Sequence, residues 1–523
     1  MSLAASPFDL QHSLSRHFPA IRHSRLVHVL LVLIAVSFLL RLIAISYVPL
    51  IPEEAYYWMY SQHPSLSYFD HPPMVAWVIF VGTRLFDDTE TGVRICGNLI
   101  ATASIGLMYW YARIWMGRRA ALCSALALLI LPFYFWTGFI ATMDSQLIFF
   151  WLLCLIGASL ALRQGKWWGW YVAGAGFGGA MLGKYTGVFV GFGILLSMIV
   201  YRPWRRHLIS PHPYLAAFMG ICLFSPVILW NAMHGWASFR FQFLDRTEIH
   251  PFWSWRSLIS PLNFLGLQLV AVTPIFVVAA ASLMGRSHRL RRILKRPMPV
   301  FALCTAIPLV ALMAWKSVTF DVHLDWTSPA YLSLFPLVSA RSMGYLRLSI
   351  RRKSFAWPMS AAVSLVVCVG FNLLCPLYML LIMPATGRPQ VFGPWHALAM
   401  VVQRYEVQLE NQTHREPLII GRGKYRLASE LAFYRAKVEK PFSSSANTTN
   451  QWILGEGDGL GFSYWLDRPQ CKGRDCIYVS DKDDVQSVVQ SRFEAVQLVD
   501  DPALRELPGG VVYHLAICRG FKE

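Results

Sequence analysis

Between Val48 and Met74 the chain reads VPLIPEEAYYWMYSQHPSLSYFDHPPM, with three carboxylates (Glu53, Glu54, Asp70) and two histidines (His63, His71) among tyrosines and prolines. A carboxylate partly withdrawn from water beside an aromatic wall or a cation can act as a general base toward a hydroxyl or an amine. Pro52 marks a helix start that places Glu53 and Glu54 in the first turn, where the helix dipole favours anions. Two acids are therefore also what an ordinary helix start selects. Asp70-His71-Pro72-Pro73 reads either as a second polar group of the same site or as an Asx-type turn ahead of prolines. The prolines forbid one continuous helix through the stretch, which is poor lipid-facing material.

Further groups could complete such a site. Arg94 lies just inside the next long apolar segment, where it is costly unless it snorkels to the interface or meets an anion, either a phosphate or a loop carboxylate. Lys184, in GKYT, stands between two apolar segments on a side otherwise poor in basic residues, a position that suits a phosphate. Asp144 opens another apolar segment, and His234, Arg246, His323 and Asp325 fall in loops of the same side, where loop packing explains each equally well. The irregular spacing of Glu53, Glu54, Asp70 and the histidines gives no metal-ligand signature. A divalent metal is permitted but not required, because Arg94 and Lys184 can neutralise a phosphate leaving group.

The elements that must position these residues are membrane spans. Of 523 residues 55% are hydrophobic and only 15% charged, and the apolar sequence is gathered into segments about 20 residues long, which defines a polytopic α-helical membrane protein. The net charge of +18 sits in short loops, as the positive-inside rule requires, so no nucleic-acid partner is expected. Residues 1–25 form a basic cytoplasmic segment. The apolar run 26–47 is too long for a cleaved signal peptide and has no small-residue cleavage site. Further spans are predicted near 92–112, 120–137, 145–162, 167–183, 186–201, 212–231, 263–285, 298–315, 328–346 and 356–383, about eleven crossings in all. Arg113/Arg118/Arg119, Arg163/Lys166, Arg202/Arg205/Arg206, Arg286 to Arg296 and Arg341 to Lys353 then share the cytoplasmic side. The other side receives the loop 48–91, residues 137–144, Lys184, residues 231–262 and 316–326, and everything after 384. Met74 to Phe86 is apolar but short, and reads as an interfacial or re-entrant helix.

Residues 26–384 thus form the membrane domain and 385–523 a small extracytoplasmic α/β domain. Its strands are expected at PLIIGRG, QWILGEG, CIYVSD, EAVQLVDD and GVVYHLAICRGF, with a helix over Tyr425 to Tyr434. GEGDGLGF (455–462) is a glycine-rich loop without the context of a dinucleotide site. CKGRDC, with Cys471 and Cys476, closes a small disulfide loop in an oxidising compartment or remains two free thiols.

PEEAYYWMYSQHPSLSYFDHPPMVAW, followed in order by TGVRICGNL, TMDSQLIFFW (142–151), GKYTG (183–187), WNAMHGWASFRFQ (230–242) and HLDWTSPAYLSLFP (323–336), resembles glycosyltransferase family 39 over most of residues 30–340. That family contains protein O-mannosyltransferases and the bacterial aminoarabinose transferase acting on lipid A. The resemblance implies a GT-C fold and transfer of a sugar, with inversion, from a polyprenyl (undecaprenyl) monophosphate donor. The acceptor it implies is lipid A, another glycolipid or a protein, at the periplasmic face of the bacterial inner membrane. The family's Asp-Glu motif is matched here by Glu53-Glu54, which keeps the carboxylate and lengthens it by one methylene. Glu53 is favoured as base, with Glu54 and Asp70 in support, and the choice between the two glutamates stays open. Asp144 and the cluster Asp70-His71 match polar groups of the family; from their positions Arg94 and Lys184 are expected to meet the donor phosphate, and Tyr56, Tyr57, His71, Asp144, His323 and Asp325 to contact substrate. A flippase for a lipid-linked sugar is the rival class. Its site would lie at discontinuous helices near mid-membrane rather than in a long outer loop. Neither the sugar nor the acceptor can be read from the residues.

Overall fold

The computed structural model describes residues 23–242, 254–268, 295–351, 362, 364–374, 393–437, 441–508 and 511–522. Arg246, Cys375, most of the N-terminal segment, most of the expected spans 263–285 and 356–383, and most of the basic run from Arg286 lie outside the described residues. Helix α1 (His23–Tyr47) leads into α2 (Pro52–Gln62), α3 (Met74–Phe86) and α4 (Glu90–Ile130). There follow α5 (Asp144–Gln164), α6 (Gly169–Gly183), α7 (Val188–Val200), α8 (Pro211–Met233), α9 (Pro297–Lys316) and α10 (Ser328–Arg351).

Two expected spans run together in α4, but Gly117 breaks the helix with φ 81° and ψ −178°, between the basic residues Arg113 and Arg118 where a turn was expected. Glycine takes that left-handed φ without a Cβ clash. Among the described residues five helices are long and apolar enough to cross a bilayer, or six if the pair 185–200 and 202–209, bent by 114°, counts as one broken span. Helix α3, with 13 residues, falls short of a span, as its length foretells.

The α2 start is built as the sequence suggests. Pro52 occupies the first turn, and the Ile51 amide donates to Glu54 Oε2 at 3.1 Å, which ties the carboxylate back over the helix end.

Beyond the membrane helices, α11 (Trp395–Thr413) and α12 (Arg426–Ala436) pack with five strands: β1 (Leu418–Gly421), β2 (Thr448–Asn450), β3 (Cys476–Ser480), β4 (Phe493–Val499) and β5 (His514–Phe521). The sheet order is β2-β1-β3-β5-β4, with β1, β2 and β3 parallel and β5 antiparallel to both β3 and β4. The expected strand at QWILGEG is displaced. The strand is Thr448–Asn450, and Gln451–Leu454 instead forms a 3-10 turn, started by the Asn450 side chain accepting from the Trp452 amide. An asparagine that caps locally competes with the sheet ladder.

The α/β domain is not a separate body hanging from the membrane helices. Tyr56, Trp58 and Tyr60 of α2 share one buried apolar cluster with Leu398 of α11, Leu427 and Phe433 of α12, and Ile477 of β3. Trp58 is fully buried, edge-on to Phe433 at 5.2 Å. An aromatic pair of this kind adds about 0.5–1.5 kcal/mol beyond the area it buries.

Candidate active site

The two adjacent glutamates have different surroundings. Glu54 is fully buried, and Arg94 clasps it from α4 with Nε to Oε1 at 2.7 Å and Nη2 to Oε2 at 2.5 Å. The Ala141 amide donates to Oε1 at 2.7 Å, in addition to the Ile51 amide on Oε2. Arg94 also donates to the carbonyls of Ile45, Val48 and Pro49, where α1 ends. Its five hydrogen bonds use every N–H that a guanidinium carries. Arg94, expected to meet the donor phosphate, is therefore given to Glu54 and the backbone. It is 1% exposed and joins the end of α1, the start of α2 and the loop before α5.

Glu53, one residue earlier on the helix, points elsewhere and is half-buried. The Tyr425 hydroxyl, from the turn between β1 and α12, donates to its Oε1 at 3.0 Å. Tyr425 also stacks on Tyr56, with ring centroids 5.0 Å apart and planes 20° apart. Of the two glutamates, Glu53 is the one that keeps some exposure.

Asp70, 6% exposed, accepts from the hydroxyls of Tyr56, at 3.3 Å, and Tyr60. His71 Nε2 lies 3.8 Å from its other oxygen and 3.5 Å from the Tyr57 hydroxyl. The Gln242 side chain donates to the Asp70 carbonyl. Tyr57 is the meeting point: burial first, and then the charges of Asp70, Glu53 and Asp144, push its hydroxyl well above the usual phenol range. The expected residues Glu53, Tyr57, Asp70 and Asp144 therefore surround one region.

On the membrane side of that region Lys184 donates to Asp144 Oδ1 at 2.9 Å and to Asp325 Oδ2 at 2.5 Å. This brings together three expected residues from α5, the turn after α6 and the turn before α10. It also changes the meaning of Lys184, expected as a lone cation for a phosphate, because two carboxylates already flank the ammonium. His323 is exposed and sits near Trp326, with ring centroids 5.6 Å apart. His234 instead stacks on Trp230 and faces Tyr464 of the α/β domain. Among the described residues no group of three or more His, Cys, Asp or Glu side chains is gathered as a metal ion would need.

Sequence reasoning missed the contribution of the α/β domain. The Gly461 amide donates to the Tyr56 hydroxyl at 2.8 Å, so the glycine-rich loop 455–462 closes directly on α2. Trp465 stacks on His63 at 4.7 Å. Glu430, on α12, is fully buried with neither oxygen partnered. Burial, and then Glu54 and Glu53, push its carboxyl well above the usual range. A carboxylic acid between two alanine-rich helical turns carries no signal at the level of sequence.

The sequence and the fold have known counterparts. Residues 70–230 match the family described as dolichyl-phosphate-mannose-protein mannosyltransferase. The lipid A galacturonosyltransferase RgtD of Rhizobium johnstonii is 26% identical over 329 residues, 62% of this chain and 65% of that protein. An undecaprenyl phosphate-alpha-4-amino-4-deoxy-L-arabinose arabinosyl transferase of Erwinia tasmaniensis is 28% identical over 34% of this chain and 30% of that protein. The chain thus spans less than two thirds of the length of either relative. The crystal structure of ArnT from Cupriavidus metallidurans in the apo state superposes with a TM-score of 0.62 at 17% identity, covering 94% of this chain and 98% of that one. The same ArnT bound to undecaprenyl phosphate matches equally well, with a TM-score of 0.62 and 93% of this chain covered. The fold defines a polytopic membrane protein of GT-C architecture. In sequence the chain is similar to these membrane glycosyltransferases over the residues matched.

Proposed function

We propose that the protein is an inverting membrane glycosyltransferase. It takes a sugar from a polyprenyl monophosphate and passes it to a glycolipid of the lipid A type at the periplasmic face of the bacterial inner membrane. The observation that carries this reading is the unequal treatment of the two glutamates: Glu54 is consumed by Arg94, and Glu53 is left half-buried, oriented by Tyr425, beside Tyr57 and Asp70. The relatives' names support the donor and the acceptor, and the basic loops on one side support the membrane face.

In this mechanism the acceptor hydroxyl gives its proton to Glu53 as its oxygen attacks the anomeric carbon from the face opposite the phosphate. The bond from that carbon to the phosphate oxygen breaks, and polyprenyl phosphate leaves with the electron pair. One displacement inverts the anomeric centre. Tyr425 keeps the carboxylate aimed. Asp70, held by Tyr56 and Tyr60, and Asp144 offer acceptors for sugar hydroxyls, while Lys184 meets the donor through the N–H not given to Asp144 or Asp325. Arg94 acts at one remove, by fixing the start of α2 that carries Glu53.

The test is direct. Purified protein, a synthetic undecaprenyl phosphate sugar and lipid A are incubated together, and the lipid is weighed by mass spectrometry. Gain of one glycosyl unit with release of undecaprenyl phosphate is expected. Donor movement between leaflets of a vesicle with no transfer across a panel of sugars would instead make the protein a flippase.

A further inference from the structure

Three cysteines lie in the α/β domain, and the spacing in CKGRDC draws attention to Cys471 and Cys476. The fold separates them. Cys471 ends a 3-10 turn and its thiol is directed at the Asp467 carbonyl, 3.4 Å away. Cys476 begins β3, and its partner across the antiparallel ladder is Cys518 of β5. Both are free thiols, fully buried in one apolar cluster, and the Cys518 thiol is directed at the Ala516 carbonyl, 3.9 Å away. Residues directly opposite in an antiparallel pair put their side chains on the same face with Cβ atoms about 4.5–5.5 Å apart. That is within a small adjustment of the roughly 3.5–4.5 Å that a disulfide spans.

We propose that Cys476 and Cys518 form a cross-strand disulfide that locks the last strand of the chain into the sheet. The two thiols lose two protons and two electrons. The oxidant is the reactive disulfide of a thiol-exchange protein in the compartment, which departs as a dithiol. Burial pushes the Cys476 thiol well above its usual range, and exchange proceeds through the thiolate, so the bond must form while β5 is still joining the sheet. Once enclosed, it is out of reach of soluble reductant. The bond would act on the site through the sheet, because β3 lies between β5 and β1, and β1 exits toward Tyr425 and Glu53. The proposal rests on the placement of this domain outside the cytoplasm.

The experiment uses the full chain, expressed in cells with an intact oxidising envelope. Free thiols are blocked with N-ethylmaleimide in acid denaturant before any reduction, and peptides are mapped by mass. A peptide pair joining Cys476 to Cys518, lighter by two hydrogens than the sum of the separate thiols, is expected. It should vanish in Cys518→Ser, and reductant added in denaturant before refolding should lower the melting temperature of the wild type by several degrees but leave Cys476→Ser/Cys518→Ser unmoved. A cytoplasm-only reporter fused after residue 400 is read in parallel. If it is silent and both thiols are nonetheless blocked, or if Cys476 is joined to Cys471, the pairing is overturned while the placement stands. If it is active, the placement fails and takes the pairing with it.

Discussion

The Tyr425 hydroxyl donates to Glu53 Oε1 at 3.0 Å across 372 residues of chain, so the α/β domain reaches the carboxylate that the outer loop presents. The bond fixes one carboxylate oxygen and leaves the other for an incoming proton. Tyr425→Phe keeps the ring that stacks on Tyr56 and removes the hydroxyl that makes this bond. A hydrogen bond to a charged group is worth about 1.5–3 kcal/mol, so kcat/KM should fall roughly tenfold to a hundredfold. An unchanged rate per folded molecule would detach the α/β domain from the chemistry.

Arg94 and Glu54 should behave as a structural pair. Removing one partner of a buried, fully hydrogen-bonded ion pair costs about 3–5 kcal/mol. Arg94→Ala and Glu54→Gln should therefore give poorly folded protein, whereas the molecules that do fold bind donor with ordinary affinity. Donor affinity measured per folded molecule decides this. A folded Arg94→Ala protein that has lost donor binding tenfold or more would return the arginine to the phosphate.

For Lys184 the expectation is mixed. Lys184→Ala leaves Asp144 and Asp325 without their shared cation and the donor without its contact, so the donor KM should rise about tenfold or more. Adding Asp325→Asn should recover stability but not KM, and a double-mutant cycle separates the two effects. If the KM is unaltered in both variants, Lys184 serves only the two aspartates.

His63 supplies a pH dependence. Burial against Trp465 lowers it from 6.5 to about 4, so the folded protein refuses a proton that the unfolded chain accepts. A lowered histidine means that the unfolded state binds more protons between those values. Stability is therefore full above about pH 6.5 and is lost as pH falls toward 4, by about 3 kcal/mol at most. Melting curves in detergent at pH 7 and pH 4.5 should differ by less in His63→Gln than in the wild type. Equal slopes in the two proteins would mean that His63 is not the group responsible.

Residues bracketed by strong local signals were legible before the structure. Asp144, Lys184 and Asp325 each sit at a boundary where apolar sequence stops, so their common side of the membrane follows from counting spans, and the structure places them in contact. The helix start at Pro52 was legible for the same reason, since proline and acids there have a local cause. The division of labour between Glu53 and Glu54 was not, because adjacent positions on a helix face different directions and what each meets lies at Arg94 and Tyr425. Nor was the closure by Gly461 and Trp465, since a short loop has no period to announce what it will cover. The displaced strand at Thr448 shows the limit on a smaller scale. QWILGEG has strand-forming residues, but Asn450 spends its side chain on a cap and turns the backbone away.

Glu53 is assigned the part of proton acceptor. Glu53→Gln preserves size and can still accept from Tyr425 but cannot take a proton, so transfer from synthetic undecaprenyl phosphate sugar, measured per folded molecule, should fall by about 10²- to 10⁴-fold with donor affinity intact. Transfer at the wild-type rate by folded Glu53→Gln protein would contradict the account.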